Sequence, residues 1–357
     1  MGSTMSSAAP RLPFLDALRG YAILGVIWVH VEQAAPVSSP IVHAYATHAN
    51  RGVDIFFVVS AISIAMAWNA RADGYFPFLV RRLFRLLPAM SLAAIGYAAI
   101  GMTTPEWWQA AMTLTFVNGF HPTAINSTVL GSWTLSSEMM FYLTVPILAA
   151  NLRTLRVAAI WILGAQAVFM TACPLVVAFW NAVYPAGIPE PNLSFFWISP
   201  FPQARWFIMG WTIYLLMQRP PLSPRASHAL FGLALGALAA GPFIHSSTLH
   251  ELAFTFAIPA AVYAMACGAA SILDNAVMRW IGTVSYSMYL LHFLAWPVAY
   301  RLDGPPFLPL FAGTVVVTTL CASVTYVLIE RPGIRLGAAL LRGRVARSKP
   351  QLDPNAA

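Results

Sequence analysis

Long apolar runs separated by short basic breaks dominate the chain. The runs cover about Phe14 to Val31, Val53 to Ala70, Leu83 to Gly101, Trp107 to Val117, Leu135 to Ala150, Leu155 to Trp180, Arg205 to Met217, Leu230 to Phe243, Ala253 to Ala270, Ile281 to Tyr300 and Pro309 to Ile329. A helix needs about 20 mainly apolar residues to cross a bilayer, so Trp107 to Val117 is too short and is expected to dip in without crossing. Basic residues collect on the cytoplasmic side of membrane proteins. The groups Arg81, Arg82 and Arg85, then Arg153 and Arg156, then Arg219 and Arg225, then Arg331 to Lys349 alternate correctly if the N-terminus is cytoplasmic. The pattern therefore predicts an all-α, polytopic transmembrane helical bundle of about ten crossings plus one short re-entrant segment, with both termini cytoplasmic. Arg205 to Met217 is the weakest crossing. Residues 1–335 are expected as one membrane-embedded domain and 336–357 as a basic, disordered cytoplasmic tail.

Composition narrows the class further. Hydrophobic residues make up 59% and charged residues 9% of 357 residues, where a soluble domain carries about a quarter charged residues. The net charge of +8 comes mostly from short loops beside apolar runs, which is topology patterning rather than a nucleic-acid face. Cys173, Cys267 and Cys321 lie far apart in apolar runs, so no disulfide framework, metal site or redox motif is expected. The first residues hold no apolar core before Phe14, and the run beginning there is broken by Asp16 and Arg19, so no cleavable signal peptide is expected.

The first run, LDALRGYAILGVIWVH, is unusual for its polar residues. Arg19 and His30 are eleven residues apart, almost a whole number of helical turns. They leave one face, roughly 16 Å apart along the axis. Asp16 shares that face, one turn before Arg19. Ionisable groups in a bilayer are costly and normally face the protein interior or a watery cavity; the alternative is that Asp16 and Arg19 are interfacial and His30 lies at the surface.

Three more segments carry polar constellations. In FLVRRLFRLLPA, Arg82 and Arg85 stand one turn apart. Two guanidiniums on one face suit phosphate, and they also suit topology anchoring. In GSWTLSSEMMFYLTVP, Trp133, Glu138 and Tyr142 open a helix from the outer side, which puts Glu138 at a depth similar to His30. An acid beside an imidazole suits acid/base chemistry; a structural hydrogen bond between Glu138 and Tyr142 is the other reading. In GTVSYSMYLLHFLAWP, Tyr289 and His292 share a side, and His292 reads either as catalytic or as a bond between helices. The segment GLALGALAAG, Gly232 to Gly241, contains G-x-x-x-G and is read first as core packing within the monomer, with homodimerisation as the second reading.

Taken together, LDALRGYAILGVIWVH, RGVDIFFVVSA, RRLFRLLPA, WTLSSEMMFY, the segment led by Arg205, GTVSYSMYLLH and the closing ERP at Glu330 to Pro332 resemble bacterial acyltransferase family 3 in order and spacing, over roughly Leu12 to Arg335. These are integral-membrane O-acyltransferases of cell-envelope and exported glycans. The resemblance implies that Arg19 and His30 are required for transfer, that Arg82 and Arg85 are the third-helix R-x-x-R pair, and that Trp133, Glu138 and His292 match the family's other site residues. One departure is Ala61, where the family usually has glycine after the serine, here Ser60.

The expectation is a cell inner-membrane enzyme that moves an acyl group, most simply acetyl, from cytoplasmic acyl-CoA to a sugar hydroxyl. Arg82 and Arg85 would hold the donor's phosphates and His30 would act as general base. Glu138 would orient or charge-balance His30, and Arg19 would stabilise the thioester oxyanion or hold the pantetheine path, with Asp16, Trp133, Tyr142, Tyr289 and His292 in support. The expected partners are membrane lipid and a glycan or glycolipid acceptor, with no nucleic acid and no metal. Another donor or acceptor (succinyl, longer acyl, lipid, peptidoglycan or small molecule) is the alternative. A proton-coupled transporter would show two similar halves with broken helices, and no clear internal repeat is visible.

Overall fold

The computed structural model describes residues 12–70, 74–185, 195–303 and 306–347. These form fourteen α-helices in chain order, and no strand occurs among the described residues. The helices are α1 (Pro13–Ala34), α2 (Pro40–His48), α3 (Gly52–Asn69), α4 (Tyr75–Ala99), α5 (Trp107–Leu114), α6 (Trp133–Asn151), α7 (Leu155–Val183), α8 (Phe195–Ile198), α9 (Pro200–Met217), α10 (Pro224–Ala240), α11 (Ser247–Ala266), α12 (Ala276–Asp303), α13 (Phe307–Thr325) and α14 (Arg331–Arg347). Among the described residues, five stretches are long and apolar enough to cross a membrane: Pro13–Ala34, Pro40–Asn69, Pro224–Phe243, Thr248–Ala266 and Phe307–Arg342. Outward-facing Ile160, Leu163, Leu233 and Leu320, each more than 60% exposed, give the bundle an apolar exterior. Such a surface is stable against lipid, because lipid tails have no polar groups to satisfy.

Helices α1 and α12 form the central crossing, which glycine makes possible. A Cβ at Gly282 would fall 1.7 Å from the Asp16 carbonyl oxygen, and one at Gly20 would fall 2.3 Å from that of Met278. Only a residue without a side chain lets the backbones approach this closely. The same logic holds where α3 meets α9: a Cβ at Gly210 would lie 2.6 Å from that of Ala61. The methyl group by which Ala61 departs from the family pattern is therefore accommodated by the missing one opposite.

The segment between α5 and α6 is where pattern and structure part. Helix α5 has eight residues, too few to cross. Beyond it, residues 115–132 have little regular structure, yet Asn118, Ala124, Ile125, Val129 and Ser132 are fully enclosed. The polar groups of this segment are satisfied internally, as burial demands. Asn118 Nδ2 donates to the Ile125 carbonyl and to Ser132 Oγ, both at 2.9 Å, and Ser136 Oγ donates to Asn118 Oδ1 at 2.7 Å. Helix α6 consequently begins inside the bundle.

One further expectation is corrected, and the extent of the last helix is set beside another. Added Cβ atoms at Gly232 and Gly236 would meet nothing within 4 Å, so this G-x-x-x-G face of α10 points outward and does not pack the core of the monomer. Residues 336–347, expected within a disordered tail, continue α14 to Arg347, while 348–357 lie outside the described residues. Between α13 and α14 the helix widens to a π turn over Tyr326–Glu330. A π turn rotates the residues beyond it and recurs at functional sites; here Glu330 is 2% exposed and faces inward.

Candidate active site

Three cavities line up through the bundle. The first, about 360 Å³, lies where α1, α4 and α12 begin, and Arg19, Arg82, Arg85 and Glu330 line it. The second, about 80 Å³, shares Arg19 and Arg85 with the first and adds Ser60, Glu138, Tyr286 and Tyr289. The third, about 560 Å³, shares Val53 and Tyr289 with the second and reaches His30, Arg51, Trp133 and Glu251. The small second cavity thus forms a narrow waist between the arginine end and the histidine end.

At the arginine end, Arg19 donates to Asp16 Oδ1 at 2.9 Å and to Ser63 Oγ at 2.6 Å. The Asp16–Arg19 pair read from the helical spacing is present, and it leaves Arg19 held in the cavity wall. Arg82 lies over the rings of Phe78 and Tyr142, at 5.5 and 5.6 Å from the centroids. Arg85 stands at the junction of the first two cavities, with Tyr142, Glu138, Glu330 and Tyr286 as its electrostatic neighbours. No hydrogen bond within the described residues occupies its guanidinium. A fork of donors facing a cavity without a protein acceptor suits an incoming anion. Glu330 accepts a short bond from Ser287 Oγ, so it is a second buried acid at this end beside Asp16.

At the waist, the hydroxyls of Ser60 and Tyr142 both donate to Glu138 Oε1. The bond between Tyr142 and Glu138 that the four-residue spacing allows is therefore made. The expected pairing of Glu138 with His30 is not. Helix α6 starts inside the bundle, so five residues along it Glu138 has reached the level of Arg19 and Arg85 rather than that of His30. Tyr289 hydroxyl donates to the Gly131 carbonyl at 3.0 Å, tying α12 to the start of α6.

At the histidine end, His30 Nδ1 lies 3.1 Å from Gln33 Oε1. Donation through Nδ1 leaves the basic lone pair on Nε2. His292 does bond, but within its own helix: its Nδ1 is 2.7 Å from the Tyr289 carbonyl, and its buried Nε2 has no partner. The two imidazoles stack with centroids 5.2 Å apart, and Phe293 lies 4.5 Å from His30. Trp133 meets Phe57 edge-on at 6.1 Å and lines the same cavity.

The charged cluster beside them has no counterpart in the sequence pattern. Glu251 binds Arg51 through a short bond and Arg205 at 3.0 Å, and Arg51 also reaches Asp54 at 3.3 Å. Arg51, Asp54 and Arg205 sit in segments that carry the family resemblance; the three-residue spacing of Arg51 and Asp54 allows their pair, but no spacing along the chain announces that they meet Arg205. Glu251, some 200 residues from Arg51, carries no local signal at all.

Comparison with known proteins agrees with the architecture. The family model described as an acyltransferase domain, acyltransferase 3, matches residues 12–327. The chain is 27% identical over 327 residues to the acyltransferase MdmB of Streptomyces mycarofaciens, covering 82% of this chain and 81% of that one. It is 25% identical to BcsY of Komagataeibacter xylinus, a proposed membrane-bound transacylase, over 90% of this chain and 82% of that one. It is 26% identical to YrhL of Bacillus subtilis strain 168, a proposed peptidoglycan O-acetyltransferase, over 90% of this chain but 54% of that longer one. No solved structure matches. A helical membrane bundle matched along nearly its whole length places the chain in the acyltransferase 3 family.

Proposed function

We propose that the protein transfers an acyl group, most simply acetyl, from acyl-CoA at the arginine end to a hydroxyl of a cell-envelope or exported glycan at the histidine end. The observation that carries this reading is the line of three cavities, with an unoccupied guanidinium at one end and a histidine lone pair at the other. Phosphates of the donor bind Arg82 and Arg85, and its thioester reaches through the waist, whose small volume favours a short acyl group. His30 Nε2 takes the proton of the acceptor hydroxyl as its oxygen bonds to the thioester carbonyl carbon. The C–S bond then breaks, and the thiolate of CoA leaves with the proton that His30 held. Arg19, in the wall of the first two cavities and away from His30, lines the path of the donor's pantetheine arm. Glu138, beside Arg19 and Arg85, balances their charge instead of orienting His30.

The topology obeys the same logic. Helices α1, α3, α4, α6, α7, α9, α10, α11, α12 and α13 cross in alternation, with both termini cytoplasmic in a bacterial inner membrane. Helix α5 and the irregular segment after it enter from the outer side. Helices α4, α6, α7, α9 and α12 fall outside the five most apolar stretches, yet they have 25, 19, 29, 18 and 28 residues, enough to cross or nearly so. A reporter fused after Trp180 is exposed on the outer side in this arrangement; a cytoplasmic reporter overturns it.

The test compares ester-linked acyl groups on envelope and secreted glycans in three strains: intact, deleted, and deleted but complemented with His30→Ala at matched membrane levels. Loss of one ester in the last two supports the reading. An unchanged ester profile in all three overturns the glycan acceptor.

A further inference from the structure

The histidine-end cavity has a lining whose chemistry narrows the acceptor. Its ionised groups pair with one another, and Nε of Arg51 and Nε of Arg205 are left without a partner among the described residues. Glu251 takes both Arg51 and Arg205, and Asp54 takes Arg51. Two cations therefore face two acids, with no net charge to draw an anion inward. A ligand carboxylate or phosphate would compete with Glu251 for these arginines and lie near Asp54.

Four primary amides line the same space, and each keeps capacity unused. Gln203 Nε2 donates to the Trp197 carbonyl at 2.6 Å, leaving its oxygen. Asn126 Oδ1 accepts from Gly131 N at 3.0 Å, leaving its amino group. Gln33 meets His30 through its oxygen, leaving its amino group. Asn50 lies exposed at the rim. Together they offer donors and acceptors without charge, which is the complement of a hydroxyl, itself both donor and acceptor. Trp133 and Trp197 add apolar aromatic surface to the wall.

We infer that this cavity is a subsite for an uncharged sugar ring, its hydroxyls read by Gln33, Asn126 and Gln203 beside His30. The inference rests on the transferase reading and deepens it by naming the acceptor as neutral. Because Gln33 bonds His30, a hydroxyl held at that amide stands next to the base.

The test uses the purified full chain with three probes: methyl β-glucopyranoside, methyl β-glucuronide and glucose 1-phosphate. Binding is read by saturation-transfer NMR, and turnover by release of CoA thiol from acetyl-CoA. The neutral glycoside is expected to bind about tenfold more tightly than either charged probe, the scale of one lost polar match. Asn50→Lys, at an exposed position that should not disturb folding, makes the lining positive and should bring the glucuronide level with the glycoside. Gln203→Ala should weaken glycoside binding several-fold. Equal or tighter binding of a charged sugar to the unaltered protein overturns the inference, as does absence of any glycoside signal. If the glycoside binds but no probe releases CoA, the transferase reading falls and the sugar subsite stands.

Discussion

The imidazoles of His30 and His292 stack 5.2 Å apart although one is on α1 and the other on α12. The His292 ring is fixed by its bond to the Tyr289 carbonyl, so it forms a rigid back wall against which His30 is held. His30→Ala should lower transfer by about 10²- to 10⁴-fold, the usual contribution of a general base, while protein remains in the membrane. His292→Asn, whose amide can still donate to the Tyr289 carbonyl, should retain more activity than His292→Ala. Equal loss in both His292 variants would show that packing of the ring, rather than its bond, is what His30 needs. Steady-state rates at saturating donor and acceptor decide this.

Arg85 has no hydrogen bond within the described residues to release before it meets the proposed donor. Arg85→Ala should raise the KM for acyl-CoA by about tenfold or more, the loss of one charge-assisted contact, and leave the acceptor KM unchanged. Arg85→Lys should restore part of the affinity, because it keeps the charge and loses the fork. An unchanged donor KM in the alanine variant would return Arg85 to a topological role.

Glu251 serves two arginines, whereas Arg51 has two acids and Arg205 has Gln166 at 3.4 Å as its second partner. Removing the shared acid strands buried charge, at a cost of about 3–5 kcal/mol. Glu251→Ala should therefore lower the unfolding temperature more than Arg51→Ala does. Thermal unfolding of the purified variants in one detergent gives the comparison, and the reverse order would disprove the account of the network.

Tyr142 and Ser60 converge on one oxygen of Glu138. Tyr142→Phe removes a hydrogen bond to an acid and should cost about 1.5–3 kcal/mol, again read by thermal unfolding. Glu138→Gln keeps an acceptor for both hydroxyls but removes the charge beside Arg19 and Arg85. It should reduce transfer more than it reduces stability; a variant that unfolds early yet transfers normally would make Glu138 purely structural.

Local periodicity carried much of this architecture. Arg19 and His30 on one face of α1, the Asp16–Arg19 pair and the Tyr142–Glu138 bond all follow from helical spacing, which sequence displays directly. The depth of Glu138 did not, because it depends on the irregular segment before α6 folding into the bundle through Asn118, Ser132 and Ser136, a non-local arrangement with no period. The Arg51–Glu251–Arg205 cluster escaped for the same reason: three helices bring it together. The outward G-x-x-x-G of α10 shows the converse, a local motif whose facing is decided by packing elsewhere.

The narrow waist has a consequence for the cell's energy supply. A protein with a water-filled pit at each end of a bundle risks becoming a leak for protons, and a respiring membrane cannot tolerate one. Here the pits of about 360 and 560 Å³ share no lining residue with each other, and each shares residues with the throat, the small cavity of about 80 Å³ between them. Arg19 and Arg85 stand in that throat, and fixed guanidiniums in a constriction repel protons and metal cations. The arginines proposed to handle the donor, with Glu138 as the one acid among the described residues that line the throat beside them, would leave it net positive and so oppose the passage of cations between turnovers.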